Sequence, residues 1–178
     1  MKGMIFTEFL DLVNDTFGIE VLDRVISESG NENDSYFSMG QYPPQEMLNL
    51  VSTLSKISET PIPDLMEVFG RYLFKRFTVL YPDLVSKYEN LFTLLENLDT
   101  EIHVEVSKLF EDAEPPKFSF VQSSETDAVL IYSSPLHLNA LVVGLVEGAA
   151  DFFHQSIEIA HEHEKDTATS ANFRICIL

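Results

Sequence analysis

"LENLDTEIHVEVSKLF", Leu95 to Phe110, places apolar side chains at Leu95, Leu98, Ile102, Val106 and Leu109, the three-and-four spacing of one helix face. His103 lies about 100° round from Ile102 and beneath Val106 and Phe110, at the edge of that stripe. A histidine there is either a core residue satisfied by a backbone carbonyl or a ligand or catalytic group, and periodicity leaves both open. Asp99 or Thr100 is placed to cap this helix.

Upstream of it the apolar spacing is mostly helical. Ile5, Phe9, Leu12 and Val13 form one stripe that Gly18 stops, and "IEVLDRVISESG" forms a second helix with Gly30 in the C-terminal capping position. "NENDSYFSMGQYPP" reads as a loop within the domain. "QEMLNLVSTLSKI", "PDLMEVFGRYLFKRFTVL" and "PDLVSKYENLFTLLENL" are three further helices, the last two opening on Pro-Asp.

Downstream, after "EDAEPPKF", the period falls from about 3.6 to 2. "KFSFVQS" and "DAVLIYSS" predict paired strands, "LHLNALVVGLVEGAADFF" a helix, and "SIEIAHEH" with "NFRICIL" a closing pair. The fold class is therefore α+β: a helical part over about 1–60, then helices and an antiparallel sheet over about 61–178, in one domain.

Charge narrows the function classes. Eleven basic residues against 29 acidic give a net charge of -18, which repels phosphate backbones and anionic membrane surfaces. Nucleic acid is not an expected partner. The most apolar run, "ALVVGLV", ends at Glu147, far short of the roughly 20 residues of a membrane span. Cys176 is the single cysteine, which excludes an internal disulfide framework and suggests a reducing, cytoplasmic setting. The motifs GxSxG, P-loop, GxGxxG and HExxH are absent, and no acid/base pair stands out, so an enzyme is not expected.

Two other places can carry chemistry. His161 and His163 alternate in "SIEIAHEH", which on a regular strand puts both imidazoles on one face, either as part of a metal site without evident further ligands or as a solvated strand end. "YSSP", Tyr132 to Pro135, sets three hydroxyls between a strand and a helix start, where they either grip an anion or satisfy their own turn.

Taken in order, "MKGMIFTEFLDLV", "YPDL", "ENLDTEIHVEVSKLF", "DAEPPKF", "YSSP" and "GLVEGAADFF" resemble the heme nitric-oxide/oxygen binding (H-NOX) family along the whole chain. The resemblance implies that His103 is the proximal ligand of heme iron. It further implies non-covalent heme b, with Pro116 the proline that presses on the porphyrin. Tyr132 and Ser134 fill the first two positions of the family's Y-x-S-x-R propionate clamp, but Leu136 stands where the arginine belongs. A guanidinium there makes charge-assisted hydrogen bonds of roughly 1.5–3 kcal/mol each, so its loss weakens heme retention. His137 is expected to point elsewhere on its helix.

On the distal side the resemblance points to Ile5, Phe9, Phe74, Leu141 and Leu145, residues that periodicity alone reads as core. Leu141 occupies the place where oxygen-binding members carry a tyrosine, which implies selectivity for nitric oxide. Other bacterial members carry a zinc-binding cysteine cluster near the C-terminus; with Cys176 alone, and Asn139 where another cysteine is common, that site does not carry over. The implied function is a gas sensor in which NO ruptures the bond between His103 and iron, read by a separate histidine kinase or cyclic-di-GMP enzyme. The rival reading is an H-NOX-like protein-interaction module without stable heme, for which Leu136 speaks.

Overall fold

Gly18 separates the first two helices. Its φ of 86° suits glycine and strains other residues, so α1 (Gly3–Phe17) ends there and α2 (Ile19–Glu28) begins on the next residue. Gly30, at φ 71°, closes α2. Proline opens both α3 (Pro44–Ser58) and α4 (Ile62–Leu80) in the first turn, where a missing N–H costs nothing. The computed structural model describes residues 1–109 and 115–178, apart from the Glu164 side chain; Phe110 and the 112–114 part of the proline-rich stretch lie outside the described residues.

The stretch 82–98, expected as one helix, is divided. α5 (Pro82–Val85) lasts one turn, and α6 (Leu91–Glu96) starts afresh. Asn90 is the reason: its side chain accepts the Thr93 amide at 3.0 Å while the Thr93 hydroxyl accepts the Asn90 amide at 3.3 Å, a reciprocal cap that begins a new helix. Leu98–Ile102 then forms a π-helical turn, with Ile102 N–H donating to Asn97 O at 3.1 Å, before α7 (His103–Leu109). Asp99 and Thr100 lie inside this turn, so neither caps the His103 helix.

The C-terminal part is a four-stranded antiparallel sheet in the order β1-β2-β4-β3, built from β1 (Lys117–Gln122), β2 (Asp127–Ser133), β3 (Ile157–His161) and β4 (Ser170–Ile177). Register sets Phe118 opposite Tyr132 and Leu130 opposite Phe173. α8 (Asn139–Phe152) starts three residues later than expected. His137, at φ 48°, therefore precedes the helix instead of lying on it.

The α+β class read from the sequence is the class observed. Phe6, Phe9, Leu50 and Phe69 centre one core, and Leu91, Leu130, Phe173 and Ile175 the other; Leu138 and Leu145 pack against both. α4 and α8 cross with backbones nearly touching: a Cβ on Gly144 would lie 2.0 Å from Glu67 O, and one on Gly70 2.5 Å from Leu141 O. α4 is also tied to α1, where Arg76 donates to both oxygens of buried Glu8 at 2.6 and 3.2 Å. Among the described residues no helix is long and apolar enough to cross a membrane.

Candidate functional site

Where α1, α4, α7 and α8 meet the β1–β2 face, they enclose a cavity of about 690 Å³, within the roughly 300–1,000 Å³ typical of ligand and cofactor sites. Ile5, Phe74, Leu141 and Leu145 form apolar wall, while His103, Pro116, Tyr132, Ser134 and Leu136 also line it. Of the predicted site residues, Phe9 alone is elsewhere. Its ring is 1% exposed and packs edge-on against Phe69 inside the N-terminal core, because it lies one helical turn beyond Ile5.

His103 is oriented before any ligand arrives. Its Nδ1 is 2.9 Å from Asp99 Oδ1, and Asp99 Oδ2 accepts the Phe118 amide at 2.8 Å. A carboxylate only accepts, so Nδ1 carries the proton and Nε2 keeps the lone pair. Burial pushes the imidazole below its ordinary titration range, and the Asp99 carboxylate opposes that shift without cancelling it. The ring is thus neutral near pH 7, with its second nitrogen free for a metal and a carboxylate behind it, the usual support of a ligating histidine. Phe118 packs between His103 and Tyr132 with its ring tilted to both, at centroid distances of 5.7 and 5.4 Å.

The YSSP turn serves its own backbone in part. Ser134 Oγ accepts the Leu136 amide at 3.2 Å, which leaves the Ser134 O–H to donate elsewhere. Because α8 begins at Asn139, these hydroxyls do not sit at a helix start as expected. Tyr81 also lines the cavity, and its hydroxyl donates to Met4 Sδ at 3.4 Å.

His161 and His163 do not share a strand face. The strand ends at His161, and a 3₁₀ turn (His163–Lys165) brings the second ring back to 3.8 Å from the first. Asp166, missed as a third neighbour, lies 2.8 Å from His161 Nε2 and 3.9 Å from His163 Nδ1. Its other oxygen accepts the Asn172 amide at 3.2 Å, so the cluster also closes the turn into β4.

A family model described as Haem-NO-binding matches residues 2–161. The chain belongs to this family. The resemblance read from the motifs is therefore correct, and H-NOX structures carry it further. The Fe(II) unliganded H-NOX protein from K. algicida is 36% identical, covers 100% of this chain and 97% of its own, and superposes with a TM-score of 0.93. The H-NOX protein from S. oneidensis in the Fe(II)NO ligation state is 28% identical over 100% and 99% of the two chains, with a TM-score of 0.91. The IWP-051-bound H-NOX from Shewanella woodyi in the Fe(II)CO state is 35% identical over 99% and 94%, with a TM-score of 0.84. No curated protein matches the chain.

H-NOX domains are heme-based gas sensors, and the residues of this one fit a heme. Among the described residues the lining is mostly apolar, its one histidine is neutral and pre-aligned, and hydroxyls of Tyr132 and Ser134 border it. Sequence reasoning missed Asp99 as the partner of His103, although a carboxylate four residues before a candidate ligand on a helix is a usable signal. It also missed the close crossing at Gly70 and Gly144.

Proposed function

We propose that this H-NOX domain is a cytoplasmic nitric oxide sensor that holds heme b without a covalent bond and reports to a separate enzyme. His103 would hold the iron of a ferrous heme bound there, and that iron would supply the chemistry that binds NO and loosens the hold of the histidine. The observation that carries this reading is the neutral His103 ring facing the cavity with Asp99 on Nδ1.

The chain's own residues divide the work. Ile5, Phe74, Leu141 and Leu145 exclude water and offer no hydrogen-bond donor, so they give oxygen none of the stabilisation its partial negative charge requires. Asp99 joins His103 Nδ1 to the Phe118 amide, so a movement of the imidazole would reach α7 and β1 together. Pro116, two residues before Phe118, lines the same cavity and would contact the heme from there. A shift of this kind becomes a signal when a partner, a histidine kinase or a cyclic-di-GMP enzyme, binds the two states with different affinity. The domain itself is a sensor and not a catalyst.

The test is to supply heme to the full chain, reduce it, and compare absorption spectra in argon, air and NO for wild type and His103→Ala. Heme uptake with an NO complex and no lasting oxygen complex is expected in wild type. A second reading, an H-NOX-like interaction module without heme, is favoured by Leu136 alone. A wild-type protein that stays colourless with heme supplied would favour it.

A further inference from the structure

We infer that Lys2 supplies the positive charge for the heme propionates that the clamp lacks at Leu136. The inference rests on heme occupying the cavity, as proposed above.

The first ground is charge. The chain has 29 acidic residues, yet among the described residues no Asp or Glu lines the cavity. Two lysines do, Lys2 and Lys117, and neither has an ion-pair partner among the described residues. In so acidic a molecule, two lysines without ion-pair partners beside a cavity whose described lining holds no carboxylate favour a carboxylate ligand there by charge attraction.

Placement selects Lys2. Its backbone is held on both sides: its carbonyl accepts the Ile5 amide at 3.1 Å, and it bridges to Gln41, which also lines the cavity. The half-buried side chain therefore starts from a fixed point three residues before Ile5 on the apolar wall. Lys117 is exposed and directly precedes Phe118, whose ring lies against His103 and Tyr132. Side chains alternate along a strand, so Lys117 borders the cavity through its place beside Pro116 while its exposed side chain leaves the strand opposite to Phe118. Ser134 and Gln41 can donate hydrogen bonds but carry no charge.

The test measures transfer of the ferric group from the loaded full chain to excess apomyoglobin, using heme b and its propionate dimethyl ester. The expected result is that Lys2→Gln speeds heme b loss roughly 5- to 10-fold, as for a partly exposed charge-assisted contact. The gap narrows at high salt, and the ester leaves both proteins at similar rates. Lys117→Gln should change heme b loss less than about 2-fold, consistent with the weak effect of an exposed charge. In a Leu136→Arg background the Lys2→Gln effect should shrink, because the arginine takes over the carboxylate. Equal acceleration for heme b and ester would overturn the inference, as would no acceleration or an equal effect of Lys117→Gln. In each of these cases the sensing function stands, whereas a wild-type chain that takes up neither porphyrin ends both.

Discussion

Asp99 Oδ1 lies 2.9 Å from Nδ1 of His103, one turn further along the chain. The other oxygen of the same carboxylate accepts the Phe118 amide at 2.8 Å, so one side chain fixes the His103 tautomer and anchors β1 to the π turn. Asp99→Ala should lower heme affinity about 10- to 100-fold, the usual cost of losing the group behind a ligating histidine. It should also destabilise the fold by about 1–3 kcal/mol through the orphaned Phe118 amide. Heme titration against a competitor and urea melts read the two effects separately. Asp99→Asn, which keeps an acceptor, should cost less on both.

Gly144 faces Glu67 O with no room for a methyl group. Gly144→Ala forces α4 and α8 apart, and strain of this kind costs about 1–3 kcal/mol. Thermal melts should detect the loss. Because Leu141 and Leu145 flank this residue on the cavity wall, heme absorption should shift in the same variant.

Glu8 is 5% exposed and has Arg76 as its bidentate partner. Arg76→Met strands that carboxylate in the N-terminal core. The expected loss is about 3 kcal/mol, reduced from the upper range because Arg76 itself reaches solvent. Glu8→Gln in the same background should recover part of it. A double variant no more stable than Arg76→Met would exclude an uncompensated charge as the cause.

Glu67 titrates above its ordinary value of 4.5, pushed up by burial and then by the neighbouring Glu147 carboxylate. The folded state therefore holds this proton more tightly than the unfolded chain, and stability from this group rises as pH falls through the folded pKa toward 4.5. At neutral pH the ionised carboxylate is a burden. Glu67→Gln should stabilise the domain there by on the order of 0.5 kcal/mol, screened by water around the partly exposed pair. The gain should fade near pH 4.5, which urea melts across that window will reveal.

Periodicity made the helices, the strands and their order legible because each element buries one face, and α1, α2, α4 and the paired strands fall where their patterns put them. Breaks driven by single polar side chains were harder to see. Asn90 restarts a helix through one reciprocal cap, and the π turn at Leu98–Ile102 inserts an irregularity that no hydrophobic stripe announces. At the site, His103 was visible as an odd residue on an apolar edge, but its tautomer depends on Asp99 and on β1, nineteen residues beyond Asp99 in the sequence. Ile5 and Phe9 share one stripe in the sequence; only the packing of α1 on Phe69 sends Phe9 into the core and leaves Ile5 at the cavity.

The proposed sensing depends on His103 holding the heme iron and giving it up to NO. Resonance Raman spectra of the reduced, heme-loaded chain, grown with and without ring-15N histidine, test it most directly. The expected result is an iron–imidazole stretching band that moves with the label, is missing from His103→Ala, and vanishes on saturation with NO. A label-sensitive band that survives in His103→Ala, or that persists under saturating NO, would contradict the account.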